Sequence, residues 1–219
     1  MTSPAKPLQM FSERTDSYLR FIRSVGYQRG LRAYFAGSPL LRPGLRVLDA
    51  GCGAGAALLA VRGALRARGL DAACIHGFDL TPAMLDRLRT ALEAREGDAV
   101  ELAQADVLQL ETLASTWTGY DLIVSASMLE YVPRDRFAHA LSGLRARLDE
   151  NGTFVLFITR RNWLMRPLIG RWWAANLYTA EELRRAFAQA GFSHMVFRRF
   201  PLPYRHLDLW GFIVEAGRG

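Results

Sequence analysis

Three closely spaced glycines, Gly51, Gly53 and Gly55, follow a short apolar stretch and precede a helical pattern. Glycine lets the backbone turn sharply and approach a ligand closely. In an open α/β sheet, ligands bind where the first strand ends and the next helix begins. Residues 45–59 therefore predict a loop that holds a cofactor. The pattern alone also fits a dinucleotide, because Ala56 can replace the third glycine of the relaxed dinucleotide motif.

Two acidic residues end later apolar stretches, where they could contact a nucleoside. Asp79 could accept hydrogen bonds from both hydroxyls of a ribose, and Asp106 could accept one from an exocyclic amine. Taken singly, either could instead be a helix N-cap or a loop acid. Asp79 lies 28 residues beyond Gly51, whereas a dinucleotide-binding fold places its ribose acid about 20 residues on. This spacing, with Asp49 directly before the glycines, disfavours a nicotinamide cofactor.

The predicted elements bring these residues to one edge of a parallel sheet. Short apolar stretches alternate with helical patterns from residue 46 onward, which predicts a parallel sheet with helices on both faces. A helix is expected over residues 12–35, before a break at Gly37, Pro39, Pro43 and Gly44. The expected organisation is a disordered leader (1–11) and one domain (12–219), made of a helical cap (12–44) and a core (45–219).

In their order and spacing, these motifs resemble the class I S-adenosylmethionine (SAM)-dependent methyltransferases. The resemblance rests on DAGCGAG at 49–55, DLTPAML at 79–85, ADV at 105–107 and YDLIV at 120–124. The resemblance extends from about residue 46 to the end of the sequence. It includes residues 178–183 and 190–192, which together resemble the family's lead into the last crossover helix and its final antiparallel strand pair. It implies a Rossmann-like, doubly wound, seven-stranded sheet, mostly parallel with one antiparallel strand.

The resemblance further implies SAM as the methyl donor, with S-adenosylhomocysteine as the product. The glycines would approach the methionine and ribose parts of SAM, Asp79 the ribose and Asp106 the adenine. The expected cofactor contacts are Asp49, Gly51, Gly53, Gly55, Asp79, Leu80, Asp106, Val107 and Ser125. Cys52, within the loop, is expected to be a small buried residue rather than a nucleophile, because no histidine lies near it in sequence.

Methyl transfer from a sulfonium depends mainly on placement and desolvation, so no universal catalytic residue is expected. For an alcohol, phenol or carboxylic acid acceptor, Glu130 is the candidate base, with a solvated loop acid or helix-start residue as the alternative. Residues 125–128 lack the Asp/Asn-Pro-Pro-aromatic run of enzymes that methylate base amines. They also lack the cysteine of the RNA cytosine C5 enzymes.

The expected acceptor is a small or lipid-like apolar molecule, which can carry an anionic end. Two alternatives stay open: a nucleic-acid or protein methyltransferase that docks through arginines, and a non-catalytic SAM-binding partner subunit. The oligomeric state is not predicted. The glycines of the loop and the acids Asp79 and Asp106 favour SAM binding. They do not distinguish a catalytic methyltransferase from a partner subunit that only binds SAM.

Residues 160–173 contain three of the five tryptophans and four arginines. They follow the fifth predicted strand, at the edge where the acceptor should bind. The segment could be a lid that encloses an apolar acceptor and meets a carboxylate or phosphate, a contact with a membrane surface, or ordinary packing. The N-terminal helix would close the same pocket. The expected acceptor-pocket residues are Tyr18, Tyr27, Met128, Tyr131, Arg160, Trp163, Trp172 and Trp173.

Composition and charge exclude several other classes of protein. Half of the 219 residues are hydrophobic and 22% are charged, as in globular proteins, and no apolar run approaches the roughly 18 residues that span a bilayer. The N-terminus lacks the apolar core of a secretory signal, so a cytoplasmic location is expected. Two cysteines and four scattered histidines suggest no metal site. Lys6 is the single lysine among 28 basic residues. This arginine bias can arise from genome composition, and a nucleic-acid partner is not expected.

Overall fold

The computed structural model describes residues 20, 23–93, 99–163, 165 and 175–219. Its strands are β1 (Leu45–Ala50), β2 (Ala72–Asp79), β3 (Val100–Gln104), β4 (Tyr120–Ala126), β5 (Leu148–Thr159), β6 (His194–Arg198) and β7 (Gly211–Gly217). Its helices are α1 (Tyr27–Ala36), α2 (Ala56–Ala67), α3 (Pro82–Glu93), α4 (Phe137–Arg147) and α5 (Ala180–Gln189). The predicted leader lies outside the described residues, and the division into cap and core stays a prediction.

The strands form a single seven-stranded sheet in the order β3-β2-β1-β4-β5-β7-β6. Strand β7 runs antiparallel to both of its neighbours, and the other paired strands are parallel. The predicted fold class is therefore confirmed. The chain winds outward from β1 to β3 and then returns to place β4 on the other side of β1. This reversal opens a crevice at the carboxyl ends of β1 and β4, where such sheets bind ligands.

Strand β1 is covered on both faces, which explains its continuous apolar sequence. Leu48 and Ala50 belong to an apolar cluster that includes residues of α4 and α5. Leu45 and Val47 belong to a second cluster that includes residues of α1, α2 and α3. The two clusters hold the sheet between helical layers, so the strand ends that carry the functional side chains are fixed from both sides.

The helix expected over residues 12–35 is not continuous where the structure describes it. A turn at Val25 and Gly26 precedes α1, and Gly26 has a φ of 77°. This left-handed conformation cannot continue a helix, and glycine adopts it without steric cost. The prediction was therefore wrong at this point. No helix of the described residues is long and apolar enough to cross a bilayer.

The lead into the last crossover helix forms as the resemblance implied. Helix α5 begins after Thr179, whose hydroxyl accepts from the main-chain N–H of Glu182 at 3.2 Å. The Glu182 carboxylate accepts in return from the N–H of Thr179 at 2.8 Å. This reciprocal pair is a capping box, which satisfies two donors at the helix start. It fixes the direction in which the chain leaves the sheet edge.

Candidate functional site

The loop after β1 folds over the end of β2. The main-chain N–H groups of Gly51 and Cys52 each donate to the carbonyl of Phe78 at 2.9 Å. Gly51 has a φ of 75°, which L side chains rarely adopt. A Cβ on Gly51 would also lie 2.2 Å from Cγ of Met128. Both conformation and space therefore require glycine at position 51, and the predicted acceptor residue Met128 lies directly against the loop.

The end of the loop starts the next helix. Gly55 has a φ of 89° and occupies the position before α2. The first turn of a helix exposes N–H groups that attract the negative parts of a ligand. Cys52 is buried within this loop. Burial, together with the carboxylates of Asp49 and Asp79, raises the pKa of its thiol, so the thiol stays protonated and is not an activated nucleophile.

The carboxylate of Asp79 fixes the loop from the end of β2. Its Oδ2 accepts from the N–H of Gly53 at 2.9 Å, and its Oδ1 accepts from the N–H of Thr81 at 2.8 Å. Burial raises its pKa, against the opposing effect of these hydrogen bonds. The Thr81 side chain and the Leu80 main chain also hydrogen-bond to this carboxylate. A ribose hydroxyl would therefore share its oxygens with the loop. Asp79 is thus suited to shape the loop and to bind a ribose.

Asp49 is a buried carboxylate beneath the loop, with 2% of its surface exposed. Its Oδ2 accepts from the N–H of Leu58 at 2.8 Å, whereas its Oδ1 has no hydrogen-bond partner among the described residues. Burial raises its pKa to about 7, and the nearby Asp79 adds to the rise. A buried carboxylate oxygen without a partner is costly. A bound ammonium group would relieve that cost.

The third strand brings the second acid to the same edge. The N–H of Ala105 donates to the carbonyl of Asp79 at 3.1 Å, which ties the exit of β3 to the exit of β2. Asp106 is partly buried, and its Oδ1 accepts from the N–H of Leu108 at 2.9 Å. Val107 is buried beside it and Leu80 is partly buried. These predicted cofactor residues therefore meet at one edge.

The exit of β4 contains a contact that the sequence analysis missed. Ser127 has a φ of 57°, and its hydroxyl donates to the hydroxyl of Tyr27 at 2.9 Å. A non-glycine residue in this conformation costs roughly 1–3 kcal/mol and persists only where its surroundings hold it. Ser125, two residues earlier in β4, is fully buried, and its hydroxyl has no partner among the described residues. The contact places Tyr27, and with it α1, at the β4 exit.

Glu130 lies inside the protein rather than in solvent, with 3% of its surface exposed. Its Oε2 accepts from the N–H of Thr159 at 2.8 Å, and its main-chain carbonyl accepts from the N–H of Asn176 at 2.8 Å. Burial raises its pKa to about 7. It is therefore not a solvated loop acid. It connects the exit of β4 to the end of β5 and to the chain that returns toward α5.

The remaining predicted acceptor residues are only partly brought together. Tyr131 is partly buried and, like Trp210, packs against a small apolar cluster of Met165, Ala175 and Leu177. The guanidinium of Arg160 lies 4.5 Å from the ring centre of Phe212 and has no carboxylate partner among the described residues. Trp163 is 84% exposed, and its role at an acceptor pocket stays a prediction. Tyr18, Trp172 and Trp173 lie outside the described residues.

Comparison with known proteins agrees with this geometry. Residues 48–154 match the family model of a methyltransferase domain. Over 125 residues the chain is 27% identical to the aklanonic acid methyltransferase DauC of Streptomyces sp. (strain C5), covering 57% of this chain and 53% of that protein. Over 147 residues it is 25% identical to carboxy-S-adenosyl-L-methionine synthase of Stutzerimonas stutzeri (strain A1501), covering 67% and 55%. The chain thus spans about half the length of these curated relatives.

Solved structures share the fold over most of the chain. Magnesium protoporphyrin IX methyltransferase (ChlM) from Synechocystis PCC 6803, crystallised with bound SAH, superimposes with a TM-score of 0.74 at 19% identity. That likeness covers 99% of this chain and 100% of the other. The mitomycin 7-O-methyltransferase MmcR gives a TM-score of 0.72 at 16% identity, covering 97% of this chain and 60% of the other. At such identities the likeness shows the shared fold.

Proposed function

We propose that this chain, which is a member of the class I SAM-dependent methyltransferases, transfers a methyl group from SAM to a small, apolar acceptor molecule. The observation that carries the proposal is the Gly53–Asp79 hydrogen bond. It joins the glycine loop to the acid at the end of β2 and so forms one binding edge for a nucleoside. The name of the relative DauC, a methyltransferase acting on aklanonic acid, supports a small-molecule acceptor.

The residues at this edge fit the chemical groups of SAM. The Oδ1 of Asp49, which has no partner among the described residues, suits the ammonium group. The Asp79 carboxylate suits the ribose hydroxyls, and the Asp106 carboxylate suits the adenine amine. When bound, SAM supplies an electrophilic methyl group whose leaving thioether is neutral.

We propose that Glu130 acts by position rather than as a base that touches the acceptor. Its carboxylate is buried and already accepts from Thr159. Together with its carbonyl contact to Asn176, this bond fixes the two stretches of chain that leave and re-enter the sheet edge beside β4. Placement of this kind matters in methyl transfer, because a small misplacement of the reacting atoms is costly.

The acceptor is proposed to enter beside the exit of β4. Tyr27, Met128 and Tyr131 are partly buried there, and their aromatic and thioether groups suit an apolar molecule. Arg160 adds a cation without a carboxylate partner among the described residues, which suits an acceptor with an anionic end. This surface supports an acceptor such as an aromatic or lipid-like carboxylic acid.

The proposal is tested by binding and by transfer. In calorimetry, SAM and S-adenosylhomocysteine should raise the melting temperature by mass action, whereas NAD and NADP should not. Transfer of isotope-labelled methyl from SAM should then be screened over carboxylic acids, phenols and lipids. Stabilisation by NAD alone would overturn the methyltransferase assignment. Transfer to oligonucleotides or proteins alone would overturn the small-molecule acceptor.

A further inference from the structure

Large apolar side chains are exposed together at the carboxyl end of the sheet. Trp163, which follows β5, is 84% exposed, and Leu202 and Leu209, in the connection from β6 to β7, are 79% and 60% exposed. Of the large apolar side chains in the described residues, these are the three most exposed. Exposed apolar groups gathered at one edge are typical of an interaction surface.

Hydrogen bonds hold these segments side by side. The side-chain amide of Asn162 donates to the carbonyl of Leu209 at 2.7 Å, and the N–H of Arg160 donates to the carbonyl of Trp210 at 2.9 Å. The chain that carries Trp163 therefore runs beside the chain that carries Leu209. The two side chains belong to one continuous surface, although 46 positions separate them in the sequence.

The β6–β7 connection has a fixed shape. Residues Tyr204–Leu209 form a 3₁₀ turn, in which every third residue shares a side. Leu207 is buried, so its side faces the core, and Leu209 lies on a different, exposed side of the turn. The Nε2 of the exposed His206 lies 3.1 Å from the carbonyl of Val25, which connects the turn to the chain before α1. The N–H of Phe200 donates to Oδ1 of Asp208 at 2.9 Å and closes the loop on which Leu202 projects. The apolar side chains are thus presented on an ordered support.

Positive charge surrounds these apolar groups. Arg199 and Arg205 are exposed and form no ion pair within the described residues. Asp208 is the one acid in 199–210, and its carboxylate is engaged with the Phe200 N–H. The two arginines outnumber this one acid, so the surface is basic. We call it the edge patch, formed by Trp163, Arg199, Leu202, Arg205, His206 and Leu209.

We propose that the edge patch binds an anionic lipid surface. Tryptophan and leucine side chains suit the boundary between headgroups and acyl chains, and arginines are attracted to anionic headgroups within about a Debye length. The exposed apolar groups stand on separate segments rather than along one continuous groove, which fits a lipid surface better than a single peptide helix. The patch borders the edge at which the chain is proposed to take its acceptor, but it binds lipid independently of methyl transfer.

Vesicle binding tests this proposal without SAM or turnover. The full chain should co-sediment with phosphatidylcholine vesicles that contain phosphatidylglycerol, should bind phosphatidylcholine alone far less, and should dissociate as salt is raised. R199Q/R205Q should lower the partition coefficient by about five-fold for each arginine, and L202S/L209S should lower it further. The controls are R184Q/R185Q, which removes the same charge from α5, and V196S, which removes an exposed apolar side chain from β6.

Several outcomes would overturn the proposal. It is wrong if the chain does not bind anionic vesicles, if it binds neutral vesicles equally, or if R184Q/R185Q reduces binding as much as R199Q/R205Q does. Salt-dependent binding to oligonucleotides without binding to vesicles would show that the arginines of the edge patch bind nucleic acid instead of lipid. Every substituted side chain is exposed, so the melting temperatures of all variants should stay unchanged. A loss of vesicle binding then arises at the edge patch and not from unfolding.

Discussion

The main-chain N–H of Gly53 donates a 2.9 Å hydrogen bond to Oδ2 of Asp79, across 26 positions of sequence. A residue at the end of β2 thereby sets the shape of the loop that follows β1. The same carboxylate holds the N–H of Thr81 through its other oxygen. Asp79 therefore stabilises the loop even when no ligand is bound. Because we also propose that it binds the ribose, replacing it should affect both stability and SAM binding.

Replacing Asp79 by alanine should weaken SAM binding by about 1.5–3 kcal/mol, because a charged acceptor of the ribose hydroxyls is lost. It should also destabilise the fold, because the N–H groups of Gly53 and Thr81 lose their shared acceptor. Asp79→Asn keeps one acceptor oxygen, so its SAM affinity and its stability should both lie between those of Asp79→Ala and wild type. Calorimetry gives the affinity and denaturant unfolding gives the stability. An unchanged dissociation constant in Asp79→Ala would show that the carboxylate does not contact the cofactor.

Gly51→Ala and Gly53→Ala form a matched pair that separates backbone strain from steric overlap. Both positions have positive φ, so alanine should cost roughly 1–2 kcal/mol at each. A Cβ at Gly51 also overlaps Met128, whereas a Cβ at Gly53 meets nothing within 4 Å. Gly51→Ala should therefore lose more stability and more SAM affinity than Gly53→Ala. Equal losses in urea unfolding would mean that Met128 moves aside freely.

Two substitutions at Glu130 distinguish a positioning residue from a base. The amide oxygen of glutamine can still accept from the Thr159 N–H, so Glu130→Gln should keep kcat within about three-fold of wild type, whereas Glu130→Ala should lower it by about ten-fold or more. SAM affinity should change little in both variants, since Glu130 is not among the proposed cofactor contacts. If Glu130 were a general base, both variants would lose roughly 10²-fold or more. A steady-state comparison of kcat and KM for the acceptor decides between these roles.

The raised pKa of Glu130 also predicts how stability depends on pH. Burial raises this pKa from 4.5 to about 7, so the folded protein holds a proton that the unfolded chain releases between these values. The stabilising effect of the protonated form is complete below about pH 4.5 and is lost as the pH rises through about 7. Glu130→Gln carries no titrating group. Its free energy of unfolding should therefore fall less than that of wild type between pH 5 and 7, by roughly 1–3 kcal/mol. Parallel pH profiles of the two proteins in urea unfolding would contradict this prediction.

The sequence by itself determined the features that depend on local pattern. Continuous apolar stretches predicted strands covered on both faces, and alternation with helical patterns predicted the parallel sheet that the structure confirms. Because parallel strands place their carboxyl ends at one edge, the positions of Gly51, Asp79 and Asp106 after successive strands were enough to predict that they meet. These inferences need only residue type, spacing and the geometry of a parallel sheet.

Only the tertiary structure decided the roles that depend on distant contacts. The break at Gly26 was missed because a glycine within a helical pattern is either tolerated at a cost of about 1 kcal/mol or ends the helix in a left-handed turn, and sequence does not choose between them. Glu130 was expected as a base or a solvated loop acid, and only the structure shows its carboxylate buried and bonded to the N–H of Thr159, 29 positions later. Ser127 is held at positive φ beside Tyr27, which lies 100 positions earlier. Burial and orientation of a side chain are set by whatever packs against it, and those neighbours come from other parts of the chain.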